Sequence, residues 1–258
     1  MSYPINYPTP QGANIQIFKN GKNGVNTSGW VKPQGASFVW FTLIGGGGAG
    51  GTGSATGGGD GGGGGSAAVT NCMVPAFLIP DVLQVSVGGG GEQPSDAGTP
   101  TTVNYVSKDT YELLRAENGL GGAAGSGGSN GAPGAGGTAT ASNYFSCMGF
   151  YQSIAGQAGD TAADTISATT FLSGGMSGST RTGNYGYSVR NQNGYFQMQP
   201  IIVGVGGTRP TFAEVGSSEV KSSQEHRGCG GGGGTGESDG TRTRGTRGGN
   251  GMVVIITW

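Results

Sequence analysis

Glycine recurs at every third position through one long stretch, and this spacing most limits how the chain folds. The positions are Gly119, Gly122, Gly125, Gly128, Gly131, Gly134 and Gly137. A polyproline-II helix has three residues per turn and no internal hydrogen bonds, so this spacing leaves one side of the helix without side chains. Bare sides allow neighbouring helices to approach and exchange backbone hydrogen bonds. The spacing therefore predicts stacked polyglycine-II helices.

Further glycine runs repeat the period less regularly, within 45–65, 230–236 and 245–251. The chain has 60 glycines among 258 residues. Each glycine loses more backbone freedom on folding than any other residue, so we expect backbone contacts, not side-chain burial, to hold these runs. Flexible linkers are the alternative interpretation, and the strict period favours order. Collagen requires abundant proline, whereas 119–137 contains only Pro133.

Short apolar runs rich in Val, Ile, Phe and Thr alternate with the glycine runs and predict an all-β fold. We expect strands at 15–18, 37–44, 67–73, 82–87, 101–106, 111–116, 201–205 and 252–258. Two hairpins are predicted, at 19–24, which contains two Asn-Gly pairs, and at 107–110. The runs 37–44 and 252–256 are apolar on both faces, so we place them in the middle of a sheet. A sandwich covers one face, and glycine helices or a neighbouring subunit cover the other.

Charge and targeting patterns exclude several classes of protein. The chain has 13 basic and 14 acidic residues, which gives no electrostatic case for binding nucleic acid. Its start lacks the pattern of a signal peptide, and no apolar stretch approaches the length of a transmembrane helix. We therefore expect synthesis in a cytoplasm and no membrane insertion. The odd number of cysteines, Cys72, Cys147 and Cys229, predicts free thiols.

Few titratable residues are placed for catalysis or metal binding. His226 is the only histidine, beside Glu225 and three residues before Cys229. A Cys-His nucleophile is one interpretation, and a polar entry to the next glycine run is the favoured one. No C-x-x-C pair, phosphate-binding loop or calcium-loop spacing occurs, and the acids Asp60, Asp160, Asp164 and Asp239 are isolated. We expect no enzyme activity, no metal and no cofactor.

The order of the features carries a family resemblance. Residues 29–35, Gly-Trp-Val-Lys-Pro-Gln-Gly, precede an apolar run at 38–44 that leads directly into glycines at 45–51, and 248–258 close the chain similarly. This order resembles the glycine-rich domain of phage tail fibres over about 29–137 and 228–258. A related arrangement occurs in the glycine-rich region of the anaplastic lymphoma kinase receptor. The resemblance implies a jelly-roll-like β-sandwich, similar to tumour-necrosis-factor domains, with inserted polyglycine-II helices and no catalytic residues.

The chain is predicted to divide into four parts. These are a docking segment and hairpin (1–28), the first part of the sandwich (29–140), an aromatic insert (141–227), and a glycine run with the closing strand (228–258). The insert departs from the family pattern. Its aromatic side chains suit a recognition surface, although they equally suit a small core or a subunit contact. The candidate receptor-binding residues are Tyr144, Phe145, Phe150, Tyr151, Tyr185, Tyr187, Tyr195, Phe196, Arg242, Arg244 and Arg247.

The three arginines alternate with Thr and Gly and suit the phosphates or acidic sugars of a bacterial surface, with a solvated edge as the alternative. Together these features predict a phage virion protein that acts as a tail-fibre or spike adhesin. Its expected partners are other virion proteins, two further copies in a homotrimer, and a bacterial surface glycan or outer-membrane protein. The alternative is a capsid decoration or head-fibre protein without receptor binding, docked through residues 1–10.

Overall fold

The computed structural model of the protein describes residues 13–20, 24–141, 144–145, 149–161, 172, 174–175, 227–234, 236 and 244–258. These residues form nine strands and one short 3-10 helix, Ala76–Leu78. The strands are β1 (Asn14–Lys19), β2 (Asn26–Val31), β3 (Phe38–Ile44), β4 (Val69–Pro75), β5 (Val82–Val87), β6 (Thr101–Val106), β7 (Thr110–Ala116), β8 (Phe150–Ile154) and β9 (Met252–Thr257).

The strands form two antiparallel sheets, one ordered β1-β9-β3-β4-β8 and the other β2-β5-β6-β7. The sheets make a β-sandwich, which confirms the predicted all-β fold. The central positions of β3 and β9 in the first sheet are also confirmed. Alternation along β3 directs Val39, Phe41 and Leu43 into the core between the sheets. Trp30 of β2 meets Phe41 edge to face, with ring centroids 6.0 Å apart.

The outer face of the first sheet is covered by the chain itself where the glycine runs begin. Ile44, Val69, Met252 and Val254 form a second buried cluster with Leu172 and Cys229. Cys229 lies in a glycine run. We expected either glycine segments or a neighbouring subunit to cover this outer face. In the structure, glycine segments of the same chain cover it.

Most predicted strands agree with the structure within two residues. The predicted strand at 67–73 begins later, at Val69, because the N–H groups of Ala67 and Ala68 bond the glycine runs at Gly228 and Glu117. The predicted strand at 201–205 lies outside the described residues. Two strands escaped prediction: β2, which Gly29 interrupts, and β8, which lies in the region assigned to the insert.

Of the two predicted hairpins, one is confirmed and one is wrong. Strands β6 and β7 pair next to each other, with Val106 opposite Thr110. In contrast, β1 pairs with β9 and β2 pairs with β5, so the chain crosses between the sheets at 20–25 instead of turning back. Asn20 holds this crossing, because its Nδ2 donates to the carbonyls of Val87, at 3.1 Å, and Gly24. A tertiary contact thus overrides the local turn signal.

Both described cysteines are free thiols, as predicted, and neither is exposed. Cys147 lies outside the described residues. Burial raises the pKa of Cys72 from 9.0 to about 12. Since the folded state favours the protonated thiol, this group stabilises the fold fully below pH 9 and loses that contribution as the pH rises towards 12.

We therefore expect a Cys147→Ser variant to show no thiol reactive with a disulfide reagent at pH 8 in its native state. Two thiols should react after urea unfolding, because in the folded protein burial shields both Cys72 and Cys229 from the reagent and keeps Cys72 protonated at pH 8. The wild type serves as the control, and any additional native labelling that it shows measures the reactivity of Cys147. Rapid native labelling of the variant would contradict the described burial of Cys72 and Cys229.

Candidate functional site

The glycine runs form one hydrogen-bonded body, named here the glycine lattice, at the end of the sandwich where β3 and β5 finish. Its members lie within 45–68, 88–99, 117–137, 156–160, 174–175, 228–236 and 244–251. The run 61–68 lies at its centre. The N–H groups of Gly61, Gly64 and Ala67 donate to the carbonyls of Gly234, Gly231 and Gly228, at 2.7–2.8 Å. Every third residue of the central run therefore donates a hydrogen bond to the run 228–234.

The other two registers of the central run meet different neighbours. The N–H groups of residues 62, 65 and 68 donate to the carbonyls of 123, 120 and 117, and those of 63 and 66 donate to 160 and 157. Carbonyls of the same run accept from 45–51, from 131–137 and from Gly175. Six neighbours thus surround one segment with a repeat of three residues. This is the arrangement expected of a polyglycine-II helix inside a stack.

The strict glycine register of 119–137 divides into two helices joined by a turn. Gly119, Gly122 and Gly125 donate to carbonyls of the run 46–52, and Gly131, Gly134 and Gly137 donate to those of 60–66. Gly128 of the same register instead occupies the turn, with φ of +85°. The predicted period is therefore confirmed at six of its seven positions as the face that bonds the lattice. Outward positions carry side chains, namely Leu120, Ala123, Ala124, Ala132, Pro133 and Ala135.

Buried polar side chains fasten the lattice to the sandwich. The Thr101 hydroxyl donates to the carbonyl of Ile44 at 2.7 Å and accepts the N–H of Gly88 at 2.9 Å. Asn250 Oδ1 accepts the N–H of Gly90 at 2.9 Å. Arg227 donates to the carbonyl of Asn20 at 2.8 Å, and burial lowers the pKa of this guanidinium. Side chains thus satisfy backbone groups where strand and glycine helix meet.

The lattice also fixes both roots of the predicted insert. Asp160 accepts from Gly63 at 2.9 Å and donates its N–H to Gly175 at 3.0 Å. Gly228 accepts from Ala67 at 2.8 Å. Residues 160 and 175, which precede the segment 176–226, and residue 228, which follows it, therefore all bond the central run. Residues 176–226 of the predicted insert lie outside the described residues.

Several predicted binding residues belong to the scaffold. Phe145 is only 4% exposed and joins the core between the sheets. Phe150 and Tyr151 lie on β8: the Phe150 ring stacks on Trp40 with centroids 5.5 Å apart, and the Tyr151 hydroxyl donates to the Thr140 carbonyl at 2.6 Å. The signal that sequence reasoning missed is their alternation, which directs one ring outward and the next inward.

Other predicted binding residues reach the surface or lie outside the described part. Tyr144 is 48% exposed. Arg244 is exposed and Arg247 half-buried, and their separation of three residues directs both to one side of the run 244–251. Between them, Thr246 faces inward and donates its N–H to Gly232 at 2.7 Å. Tyr185, Tyr187, Tyr195, Phe196 and Arg242 lie outside the described residues.

Asp60 and Asp160, the two of the four isolated acids that the structure describes, both accept backbone N–H groups. Asp60 is buried, and its Oδ1 accepts the N–H of Gly236 at 3.0 Å, while Asp160 Oδ1 accepts that of Thr161. Within the described ranges, no three His, Cys, Asp or Glu side chains are grouped to share a metal ion. None of the helices in the part that the structure covers is long and apolar enough to cross a membrane. Glu225, His226, Asp164 and Asp239 lie outside it.

A side chain on the central run should break the lattice. A Cβ at Gly64 would overlap the backbone carbonyl of Gly48, which the surrounding runs hold in place. We expect Gly64→Ala to lower the free energy of unfolding by about 3 kcal/mol, the upper end of overpacking costs. The measurement is urea denaturation followed by tryptophan fluorescence.

Gly29→Ala is the matched control, because nothing lies within 4 Å of a Cβ at Gly29. This variant should stay within about 1 kcal/mol of the wild type. Equal stability of the two variants would mean that the run 61–68 is not enclosed.

The family comparison agrees with this architecture. A family model described as a glycine-rich domain matches residues 22–258. No curated protein matches the chain. The matched range includes eight of the nine described strands and every run of the lattice. The chain is therefore a member of the glycine-rich domain family.

Proposed function

We propose that the protein is a virion adhesin of a tailed phage, located in a tail fibre or spike, and that it presents residues 176–226 to a bacterial surface. The observation that carries this proposal is the attachment of both roots of that segment to the glycine lattice. Residues 160 and 175 lie at one root, residues 227 and 228 at the other, and all are joined to neighbouring runs by hydrogen bonds. The assignment to a phage rests on the resemblance of 29–51 and 248–258 to tail-fibre domains.

A fixed base favours adhesion through its effect on binding entropy. Ordering a loop on binding costs free energy, and a loop whose ends are already held loses less freedom. The lattice supplies such a base without relying on a large apolar core, because the repeat of backbone hydrogen bonds determines the position of every run. Each site then needs only modest affinity, since several copies on one fibre bind together.

The described surface supports an anionic glycan or lipopolysaccharide as the ligand class. Arg244 and Arg247 lie on one side of a lattice run, about 9 Å apart for three residues of a polyproline-II-type helix. A guanidinium binds phosphate or carboxylate through two parallel hydrogen bonds. We assign these two arginines to the border of the recognition surface and residues 176–226 to its centre. We expect no catalysis.

The test replaces 176–226 with a flexible linker of about eight Gly and Ser residues. Gly175 lies against Gly231, and four residues of about 3.1 Å each separate residues 231 and 227, so this linker spans the gap. The measurement is adsorption of the labelled protein to a panel of bacterial strains, together with its competition against phage adsorption. We expect binding by the full chain and at least a tenfold loss by the deletion variant, with unchanged cooperative unfolding.

Arg244→Ala together with Arg247→Ala should weaken adsorption severalfold and reduce its sensitivity to salt. Lys108→Ala is the control, because this charge lies in the turn between β6 and β7, away from the lattice. Absence of adsorption to every strain, combined with immunolabelling on the phage head, would reject the adhesin and favour a decoration protein.

The homotrimer is a separate part of the proposal. Light scattering after size exclusion at micromolar concentration should give three times the chain mass of 25.4 kDa. A monomeric mass would reject the trimer while leaving the adsorption experiment to decide the adhesin.

A further inference from the structure

Exposed apolar side chains are gathered at the end of the sandwich opposite the glycine lattice, where β2 ends and β5 begins. Val31 lies opposite Val82 in the pairing of these two strands. The pairing of Gln84 with Asn104, continued by two residues, places Val106 of β6 on the other side of Val82. The three valines therefore form one row across the sheet.

This valine row lies on the outer face of the second sheet. Trp30 and Leu83, the next residues along the strands, face the core, so alternation directs Val31 and Val82 outward. The face of an antiparallel sheet that contacts water is usually polar. The rest of this outer face follows that rule, with Thr27, Gln84, Ser86 and Thr102. The valine row departs from it.

The turn before β5 adds two larger side chains to the row. Phe77 and Leu78 belong to the 3-10 helix Ala76–Leu78. Together with the valine row they form a surface named here the end patch. The exposed fractions of its members are 82% for Phe77, 65% for Val31, 59% for Val82, 48% for Val106 and 40% for Leu78.

Hydrogen bonds hold this turn against the end of β2. Lys32 Nζ donates to the carbonyls of Ala76 and Ile79, each at 2.9 Å. The Lys32 N–H donates to the carbonyl of Asp81 at 2.7 Å. Phe77 is therefore exposed on a backbone that is already fixed, so a contact made through its ring costs little ordering of the turn.

The charges beside the end patch cancel. Lys32 and Asp81 are the only charged residues in the segments 31–38 and 74–82, and Lys32 Nζ lies 2.8 Å from Asp81 Oδ1. This carboxylate and the two carbonyls of the turn use the three donors of the ammonium. Two such surfaces can meet without like-charge repulsion. An anionic ligand, in contrast, needs a cation with donors left to bind it.

The area of the end patch fits contact with another protein surface. Burying one apolar side chain of this kind removes roughly 100 Å² of surface from water. The five exposed fractions are equivalent to about three such side chains, or roughly 300 Å². Since about 60% of an interface is apolar, each copy would bury roughly 500 Å². Two copies together reach about 1,000 Å², the lower limit for a specific interface.

We propose that the end patch is the surface through which copies of this chain associate, with Phe77 at the centre of the contact. Aromatic side chains near the centre of an interface usually contribute most of its binding energy. The end patch is separated from the lattice by the length of β5, about 17 Å, so association leaves the lattice end accessible to a ligand. This inference rests on the homotrimer part of the proposed function and names the contact between its copies.

Phe77→Asp in the full chain tests the contact, and Leu120→Asp is the matched control, because Leu120 is 49% exposed but lies on a lattice run. The measurement is light scattering and sedimentation across micromolar concentrations, with urea unfolding as the check on folding. We expect the wild type and Leu120→Asp to form the same oligomer. Phe77→Asp should raise its dissociation constant at least about thirtyfold.

A double variant, Val31→Thr with Val82→Thr, tests the same surface with less disturbance of the strands. Threonine has nearly the shape of valine and is common in strands, so this variant should keep cooperative unfolding. We expect its dissociation constant to rise severalfold, because the hydroxyl groups would be buried in the contact.

A monomeric wild type would overturn the inference and the trimer, while adsorption to bacteria still decides the adhesin. An unchanged dissociation constant in Phe77→Asp, or an equal loss of association in Leu120→Asp, would overturn the inference alone. Binding of a monomeric wild type, but not of Phe77→Asp, to phosphatidylcholine–phosphatidylglycerol vesicles would overturn it in favour of a lipid surface. A dimer that Phe77→Asp dissociates would support the end patch and reject the trimer.

Discussion

The backbone hydrogen bond between glycine helices is the interaction on which the structure depends. In the run 61–68, each N–H reaches a carbonyl of a neighbouring run, and successive residues reach different neighbours. Such close approach leaves no space for a Cβ, as the carbonyls facing Gly62 and Gly64 show. The high glycine content is therefore a packing requirement. Its entropic cost is offset by bonds that involve nearly every residue of the central runs.

The sandwich and the lattice stabilise each other through their common boundary. Strands β3 and β5 continue directly into glycine runs, and β9 begins directly after one, so the register of the sheets fixes where these runs meet the sandwich. In return, Cys229 and Ala67 of the lattice cover Ile44 and Val254 on the outer sheet face. The polar contacts of Thr101 and Asn250 prevent unpaired backbone groups at the transition.

The sequence indicates the fold well where one physical rule dominates. Glycine at every third residue leaves one side of a three-residue-per-turn helix without side chains. This rule alone predicts that Gly119 and Gly134 lie on a face that bonds a neighbouring run. Apolar runs bounded by glycine likewise located β5 and β6. Prediction failed where distant contacts decide: β8 forms because Phe150 and Tyr151 pair with β4, and the Asn-Gly pairs at 20–24 do not make a hairpin because β1 and β2 find partners in different sheets. The same pairing places Tyr151 against the core between the sheets, which Phe145 also joins.

The lattice accepts neighbours of either direction. The central run 61–68 is antiparallel to 45–51 and parallel to 131–137, yet it bonds both with the same spacing. A β-sheet or a helical bundle constrains the direction of each inserted segment. In the lattice, an inserted run can be parallel or antiparallel to the run that it bonds. Segments of unrelated length and sequence are thus interchangeable between the same strands without a change in topology. Diversification of the exposed loops then requires only that glycine be kept where two runs touch.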